Sequence, residues 1–370
     1  MTNSMGKRKV FLYGWLFVIL AIGAGIFLSG RRGDKEDNKT NSESGESNFE
    51  IIAENLEIPW EITFLPDGDM LVTERPGRLR RIRDNKIYII EGVRHIGEGG
   101  LMGLAVHPKF AENNWIYLYL TTDNEGNFIN KVIRYRLAND ILSDRTVIID
   151  NIPGSSFHDG GRIAFGPDGL LYVTTGDAGN EEAAQGLDSL VGKILRVKDD
   201  GSTPEDNPFG NLIYSYGHRN SQGLAWDKEG RLWATEHGRS GALSGLDEIN
   251  FIEEGKNYGW PAIQGDGSME GMESPVIHSG TETWAPAGLA YLGGKNSLFF
   301  GGLRGESLYQ ATMIDGKLEI KRHFRRQWGR IRAVVAGPDG FIYISTSNTD
   351  GRGKVRQGDD KIIKINPDVF

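Results

Sequence analysis

The chain has 370 residues, 51 of them glycine, no cysteine and a formal net charge of −8. The missing cysteine excludes disulfides, thiolate metal sites and cysteine nucleophiles. The acidic balance argues against broad nucleic-acid binding, which needs a basic face, and the length suffices for one large β domain with accessories.

The chain opens with MTNSMGKRK, followed by an apolar run over residues 10–28. That run is close to the about 20 residues a helix needs to span a bilayer. Lys7, Arg8 and Lys9 precede it, which puts the N-terminus on the cytoplasmic side. A cleaved signal peptide is the alternative, but no clean A-x-A site precedes Arg31. Residues 1–30 therefore read as a membrane anchor or signal helix. Residues 31–48, RRGDKEDNKTNSESGESN, carry too few apolar groups to bury a core and read as a disordered tether. The expected location is the cell membrane, single-pass, with residues 49–370 outside the cytoplasm, or secreted or periplasmic if the segment is cleaved.

One hairpin then recurs six times. The copies are WEITFLPDGDMLVTE from Trp60, GGLMGLAVHPKFAENNWIYLYLTT from Gly99, SSFHDGGRIAFGPDGLLYVTTGDAG from Ser155, NSQGLAWDKEGRLWATEHG from Asn220, APAGLAYLGGKNSLFFGGLRG from Ala285 and IRAVVAGPDGFIYISTSN from Ile331. Each has an apolar strand, a turn rich in Pro, Asp and Gly, and a second strand ending in small or polar residues. In the third copy, Pro167-Asp168-Gly169 forms the turn between strands over 163–165 and 170–174. Six units of this kind predict a six-bladed β-propeller of four-stranded antiparallel blades over residues 49–370.

In a propeller, equivalent ends of all blades face one central opening. Residues six to ten before each turn include Trp60, Glu98, His158 with Arg162, His218 to Asn220, Trp284, and Arg330 with Arg332. Those eight to eleven after it include Glu74, Asp177, Glu236 with His237, Arg304 and Asn348. This register predicts one polar pocket near the axis. His158 and Asp177 flank the same hairpin, so folding at the turn brings a base beside an acid that orients it. Arg219, Arg304, Arg330 and Arg332 repel one another unless an anion or acids neutralise them, and the guanidinium fork suits a planar multi-carboxylate ligand. For any one arginine a structural ion pair is as good an account. Trp60 and Trp284 fit buried packing better than ligand contact, and His107 fits a turn.

The segments PWEITFLPDGDMLVTERPGRL, GEGGLMGLAVHP, FHDGGRIAFGPDG, LYVTTGD, YSYGHRNSQGLAW, DEINFIEEGKNYGWP and RIRAVVAGPDG resemble the soluble quinoprotein sugar dehydrogenases, the PQQ-dependent glucose and aldose sugar dehydrogenase family. The likeness covers residues 55–366. It implies His158 as general base on the anomeric hydroxyl, oriented by Asp177. It implies Arg219 and Asn220 against the quinone, and Arg330 and Arg332 gripping cofactor carboxylates. Arg304 falls where relatives often carry Lys, and Glu98 where some carry Gln. The implied cofactors are PQQ (pyrroloquinoline quinone) and Ca²⁺, the ion held by carbonyls of Gly238 and Arg239. This chain departs there, reading EHGRSGALSGLDEIN where relatives continue with Pro and a short glycine run. Asp247 and Glu248 either shape the metal site or cap the turn. The implied reaction oxidises an aldose at C1 to a lactone, with hydride passing to PQQ and electrons to an external quinone or cytochrome. A calcium-dependent lactonase and a non-catalytic cell-surface binding propeller remain the competing readings.

Overall fold

The computed structural model describes residues 48–239 and 245–370. The expected N-terminal anchor, and all of the tether but its last residue, lie outside the described residues. No described helix is long and apolar enough to cross a membrane.

Six four-stranded antiparallel sheets stand around one axis. Blade 1 runs from strand Pro59–Phe64 to Lys86–Ile89, blade 2 from Leu101–Val106 to Ile141–Pro153, and blade 3 from Ile163–Phe165 to Ile213–Tyr216. Blade 4 runs from Ser221–Trp226 to Ile277–His278 and blade 5 from Pro286–Leu292 to Lys317–His323. Blade 6 takes three strands from the C-terminal end, Ile331–Ala336, Ile342–Thr346 and Ile362–Ile365. Its outer strand, Phe49–Ala53, comes from the other end of the propeller, pairing Phe49 with Ile365 and Ala53 with Ile362. Main-chain hydrogen bonds thus fasten the ring, and two edges that would otherwise stay unpaired are joined.

The turn chemistry is legible in the geometry. Gly169 N–H donates to the Gly166 carbonyl at 2.9 Å. Asp168 Oδ1 accepts the Leu170 N–H at 3.1 Å, as a short turn carboxylate does. The second strand starts one residue later than the sequence suggests, at Leu171. Blade 2 replaces the tight turn by a short helix, Phe110–Asn113, and blade 5 by a 3-10 turn, Gly293–Lys295. Neither carries the Pro-Asp-Gly sequence.

Between blades the sheet faces interlock. Tyr117 and Tyr119 of blade 2 pack with Ile163, Leu171, Val173 and Leu195 of blade 3. Burying each such side chain contributes about 1.5–3 kcal/mol. The inner strands touch around the axis, and five of the six inner-strand pairs slip register near the start of the inner strand. A bulge of this kind re-aims side chains, and here it brings Trp60, Gln222 and Arg332 onto the axis. Every inner strand runs from the end bearing His158, Arg219 and Arg330 towards the end bearing the turns.

Close approach of inner strands leaves no room at Gly223. A Cβ there would lie 2.4 Å from Thr235 Oγ1 and 2.6 Å from the Ala287 carbonyl oxygen. Gly223→Ala should therefore lower unfolding free energy by about 1–3 kcal/mol, the range for overpacking. A urea midpoint equal to that of the parent chain contradicts this packing.

Candidate active site

The loop that enters blade 3 carries His158, whose backbone is left-handed at φ 56°, an uncommon state for a residue with a side chain. The loop leaving the next strand passes directly against it. A Cβ on Gly176 would sit 1.7 Å from the His158 carbonyl oxygen. Only glycine permits that crossing, and it delivers the neighbouring side chains to each other. His158 Nδ1 lies 2.8 Å from Asp177 Oδ1. A carboxylate accepts, so Nδ1 carries the proton and Nε2 is left as the basic nitrogen. Asp177 is fully buried. Its Oδ2 accepts the Trp260 indole N–H at 2.9 Å, and Oδ1 also accepts the Gly179 N–H at 2.9 Å.

A second histidine fixes the loop that enters blade 4. His218 Nδ1 lies 2.9 Å from Glu236 Oε2, and its Nε2 lies 2.8 Å from Ser215 Oγ. Glu236 also accepts from Ser221 Oγ and from the Arg219 N–H. These groups are buried, so the pair works as a clamp on Arg219 and Asn220. The Arg219 guanidinium lies 5.2 Å from the centre of the Trp260 ring, within cation–π range. Burial lowers its pKa, against the charges of Asp177 and Glu236. Asn220 Oδ1 accepts the Gly160 N–H at 3.0 Å. Its Nδ2 is buried without a protein partner, as is Nε2 of His237.

His158 opens onto a cavity of about 210 Å³ whose wall also holds Glu98, Arg304, Arg330, Gly238 and Arg239. His237, Asp247 and Arg352 complete its polar lining. Burial raises the pKa of Glu98, but the hydrogen bonds from Arg352 and from the His158 N–H, with the Arg352 charge, outweigh it and hold it at about 2. Glu98 Oε1 accepts from Arg352 at 2.6 Å, and Oε2 accepts the His158 N–H at 3.1 Å. Arg304 and Arg239 are exposed. Arg330 is committed in part: it donates to Asp350 Oδ2 at 2.7 Å and to the Leu303 carbonyl at 3.1 Å.

Arg332 does not stand on that wall. It lies in a buried layer on the axis, donating to Gln222 Oε1 at 2.6 Å. Arg162 of blade 3 meets Glu61 of blade 1 in the same layer. Trp60 lies between the two cations, 4.1 Å from Arg162 and 5.8 Å from Arg332. Burial lowers the pKa of each arginine to about 9, and Arg332 Nε is without a protein partner. Trp284 packs against Phe300 and Tyr309 in the core.

Asp247 caps a turn. It accepts N–H groups of Gly238 at 2.9 Å, Trp284 at 2.7 Å and Ala285 at 2.9 Å. Glu248 is apart from the cavity; burial and the charge of Glu236 raise its pKa to about 8. Among the described residues no group of three His, Asp or Glu side chains could hold a metal ion. Sequence reasoning missed Trp260 and Arg352. Trp260 stands in the NYGWP segment far from any turn register, and Arg352 stands just past the last register position, Asn348.

Fold and sequence together define a six-bladed propeller of the sugar-dehydrogenase class of oxidoreductases. The chain belongs to the glucose/sorbosone dehydrogenase family, whose profile matches residues 56–357. It is 32% identical over 357 residues to the aldose sugar dehydrogenase YliI of Escherichia coli, covering 86% of this chain and 93% of that one. It is 34% identical over 254 residues to quinoprotein glucose dehydrogenase B of Acinetobacter calcoaceticus, covering 58% and 52%. The PQQ-bound aldose sugar dehydrogenase of Streptomyces coelicolor superposes with a TM-score of 0.79 at 36% identity, over 86% and 97% of the two chains.

Two groups of the cavity make folding pH-dependent in the same direction. Burial holds His237 neutral, with a pKa of about 3 against an ordinary 6.5. Its unfolded form takes up a proton first, so stability falls as pH drops below 6.5. Glu98, lowered from 4.5 to about 2, contributes stability that is complete above 4.5 and is lost as pH falls towards 2. Substituting His237→Gln should make the upper part of that acid slope shallower, the remainder coming from other buried histidines such as His323, and leave the lower part. An unchanged slope between pH 6.5 and 4.5 contradicts the assignment.

Proposed function

We propose that this chain oxidises aldose sugars at C1 to lactones, using PQQ and passing electrons to an external quinone or cytochrome acceptor. The observation that carries the reading is the chain Trp260–Asp177–His158, a buried, doubly anchored carboxylate holding an imidazole at the edge of a cationic cavity. A positioned base of this kind fits removal of a hydroxyl proton.

The donor set fits PQQ, a planar tricarboxylate rich in acceptors. Arg332 Nε and Asn220 Nδ2 are buried N–H groups without protein partners, and Arg304 and Arg330 stand on the cavity wall. Buried donors left unpaired are costly, and a ligand with carboxylates and carbonyls removes that cost. In this reading Arg330, Arg332 and Arg304 hold the carboxylates, and Arg219 and Asn220 face the quinone carbonyls. Glu98 lies at the edge of the site, its charge already balanced by Arg352. Gly238 and Arg239 are the proposed carbonyl ligands of Ca²⁺, on a turn that Asp247 holds in place.

When bound, PQQ supplies the two-electron acceptor for the hydride that leaves C1. His158 Nε2 takes the C1 hydroxyl proton. Asp177 keeps the ring in the tautomer that can do so and stabilises the imidazolium that forms. Arg219 places fixed positive charge where negative charge grows, a preorganised effect. The proposed setting is a membrane-anchored propeller outside the cytoplasm, on the strength of residues 1–48.

The lactonase reading calls for a cation cage of side-chain carboxylates in the central opening. That position is taken by Arg162, Arg332 and Trp60, with Glu61 already engaged by Arg162, so no such cage of carboxylates stands there among the described residues. A binding propeller without chemistry leaves the His158–Asp177–Trp260 chain unaccounted for. In protein reconstituted with PQQ and Ca²⁺, His158→Ala and Asp177→Asn should each cut turnover of glucose by about 10²–10⁴-fold while PQQ binding persists. Turnover near that of the parent chain in His158→Ala removes the histidine from the mechanism.

A further inference from the structure

The axis holds a second cavity, on the face opposite His158. It measures about 240 Å³ and is lined by the second halves of the inner strands, among them Thr63, Ala105, Ala164 and Val335. Its volume lies below the about 300–1,000 Å³ of pockets for drug-sized molecules, which suits one small ring. Its inner end is the Glu61–Arg162 pair. Arg162 is 5% exposed. Its Nε donates to the Gln222 carbonyl at 2.9 Å, and Nη1 meets Glu61. Its Nη2 is buried with no protein partner.

These features select a ligand. Glu61 cancels the charge of Arg162, so the end of the channel offers an N–H donor without net charge to a neutral acceptor. Most of the lining side chains are apolar, Ile62, Leu104, Ala105 and Leu289 among them, and polar atoms supply nearly half of the lining surface. A planar ring bearing a carbonyl satisfies both. Trp60 and Arg332 form the layer between this channel and the groups facing His158.

The polarity of blade 6 adds a second argument. Ile342 follows the turn that closes with Gly340, and it pairs with Ile365, which pairs with Phe49. Strand Phe49–Ala53 therefore begins on the turn side, where the axial channel opens. Phe49, the first residue of that strand, thus lies on the face that carries the channel, and the apolar run of residues 10–28 precedes it in the sequence.

We propose that the axial channel is the site of the electron acceptor, and that the acceptor is a 1,4-benzoquinone head group hydrogen-bonded through a carbonyl to Arg162. This rests on the dehydrogenase reading above. The net reaction balances: the aldose loses two electrons and two protons as its C1–OH becomes the lactone carbonyl, and the quinone gains two of each and becomes the hydroquinone. Sugar and acceptor then use opposite faces of the ring and do not compete.

The test uses the full chain in lipid nanodiscs and the soluble probe 2,3-dimethoxy-5-methyl-1,4-benzoquinone. Equilibrium dialysis against the cofactor-free protein should show one saturable site, weakened at least tenfold in Ala164→Phe, which fills the channel, and in Arg162→Gln. Ala164→Phe leaves the buried ion pair intact, so its melting temperature should match that of the parent chain. In the reconstituted enzyme the same variant should lose at least tenfold in turnover with the quinone and keep its turnover with a dye acceptor. Absence of saturable binding, or binding and quinone turnover indifferent to Ala164→Phe, overturns the proposal. Binding that appears only after residues 1–47 are removed also overturns it, because the chain itself then occupies the channel. Failure of dye turnover in the parent chain would instead count against the dehydrogenase reading, since quinone binding to cofactor-free protein does not depend on it.

Discussion

Two guanidinium groups are buried on the axis of this ring, and the rest of the architecture follows from how they are balanced. Arg162 has a carboxylate, an indole face and a main-chain carbonyl. Arg332 has one amide oxygen, the far side of the same layer, and a buried Nε with no protein partner. The four blades that supply Glu61, Arg162, Gln222 and Arg332 are held in register by these contacts across the axis. Breaking a buried ion pair from one side typically costs about 3–5 kcal/mol, so the layer both locks the ring and divides its interior into two ends. At one end the charge is balanced. The other retains unspent positive charge, and there His158, Arg304 and Arg330 line the cavity of about 210 Å³.

The asymmetry explains why catalytic groups gather at one end. Turns at the other end are short, three of them Pro-Asp-Gly (blades 1, 3 and 6), and their polar side chains are consumed by the turn itself. The ends that start the inner strands are longer and irregular, so they can cross at close quarters, as Gly176 and His158 do. Glu236 and Asp177 are the two acids that turn these crossings into fixed geometry, each holding a histidine at 2.8–2.9 Å. Only one of those histidines reaches a cavity. The other clamps the loop that carries Arg219 and Asn220.

The hairpin repeat was readable because most of its turns use residues with a stated conformational purpose, and six repeats of one hairpin leave little but a propeller. The proximity of His158 and Asp177 was readable for the same reason, since the turn at Gly166–Gly169 folds one onto the other. Ring closure by Phe49–Ala53 was not, because a strand that pairs with one 309 residues away leaves no local pattern. Counting from the turns could not separate Arg330, on the cavity wall, from Arg332, two residues on and buried in the axial layer. The bulge between Ile331 and Val334 decides that difference, and bulges have no strict sequence signature. Trp260 was hidden because it reaches Asp177 from the insert between blade 4 strands, across 83 residues.

The most direct measurement is reconstitution of the cofactor-free full chain. PQQ and Ca²⁺ would be added separately and together, while PQQ absorbance and the reduction of a dye acceptor by glucose and other aldoses are followed. The account predicts a shift in PQQ absorbance on mixing and turnover that requires both additions. No absorbance change and no turnover, with all six blades folded, would contradict it.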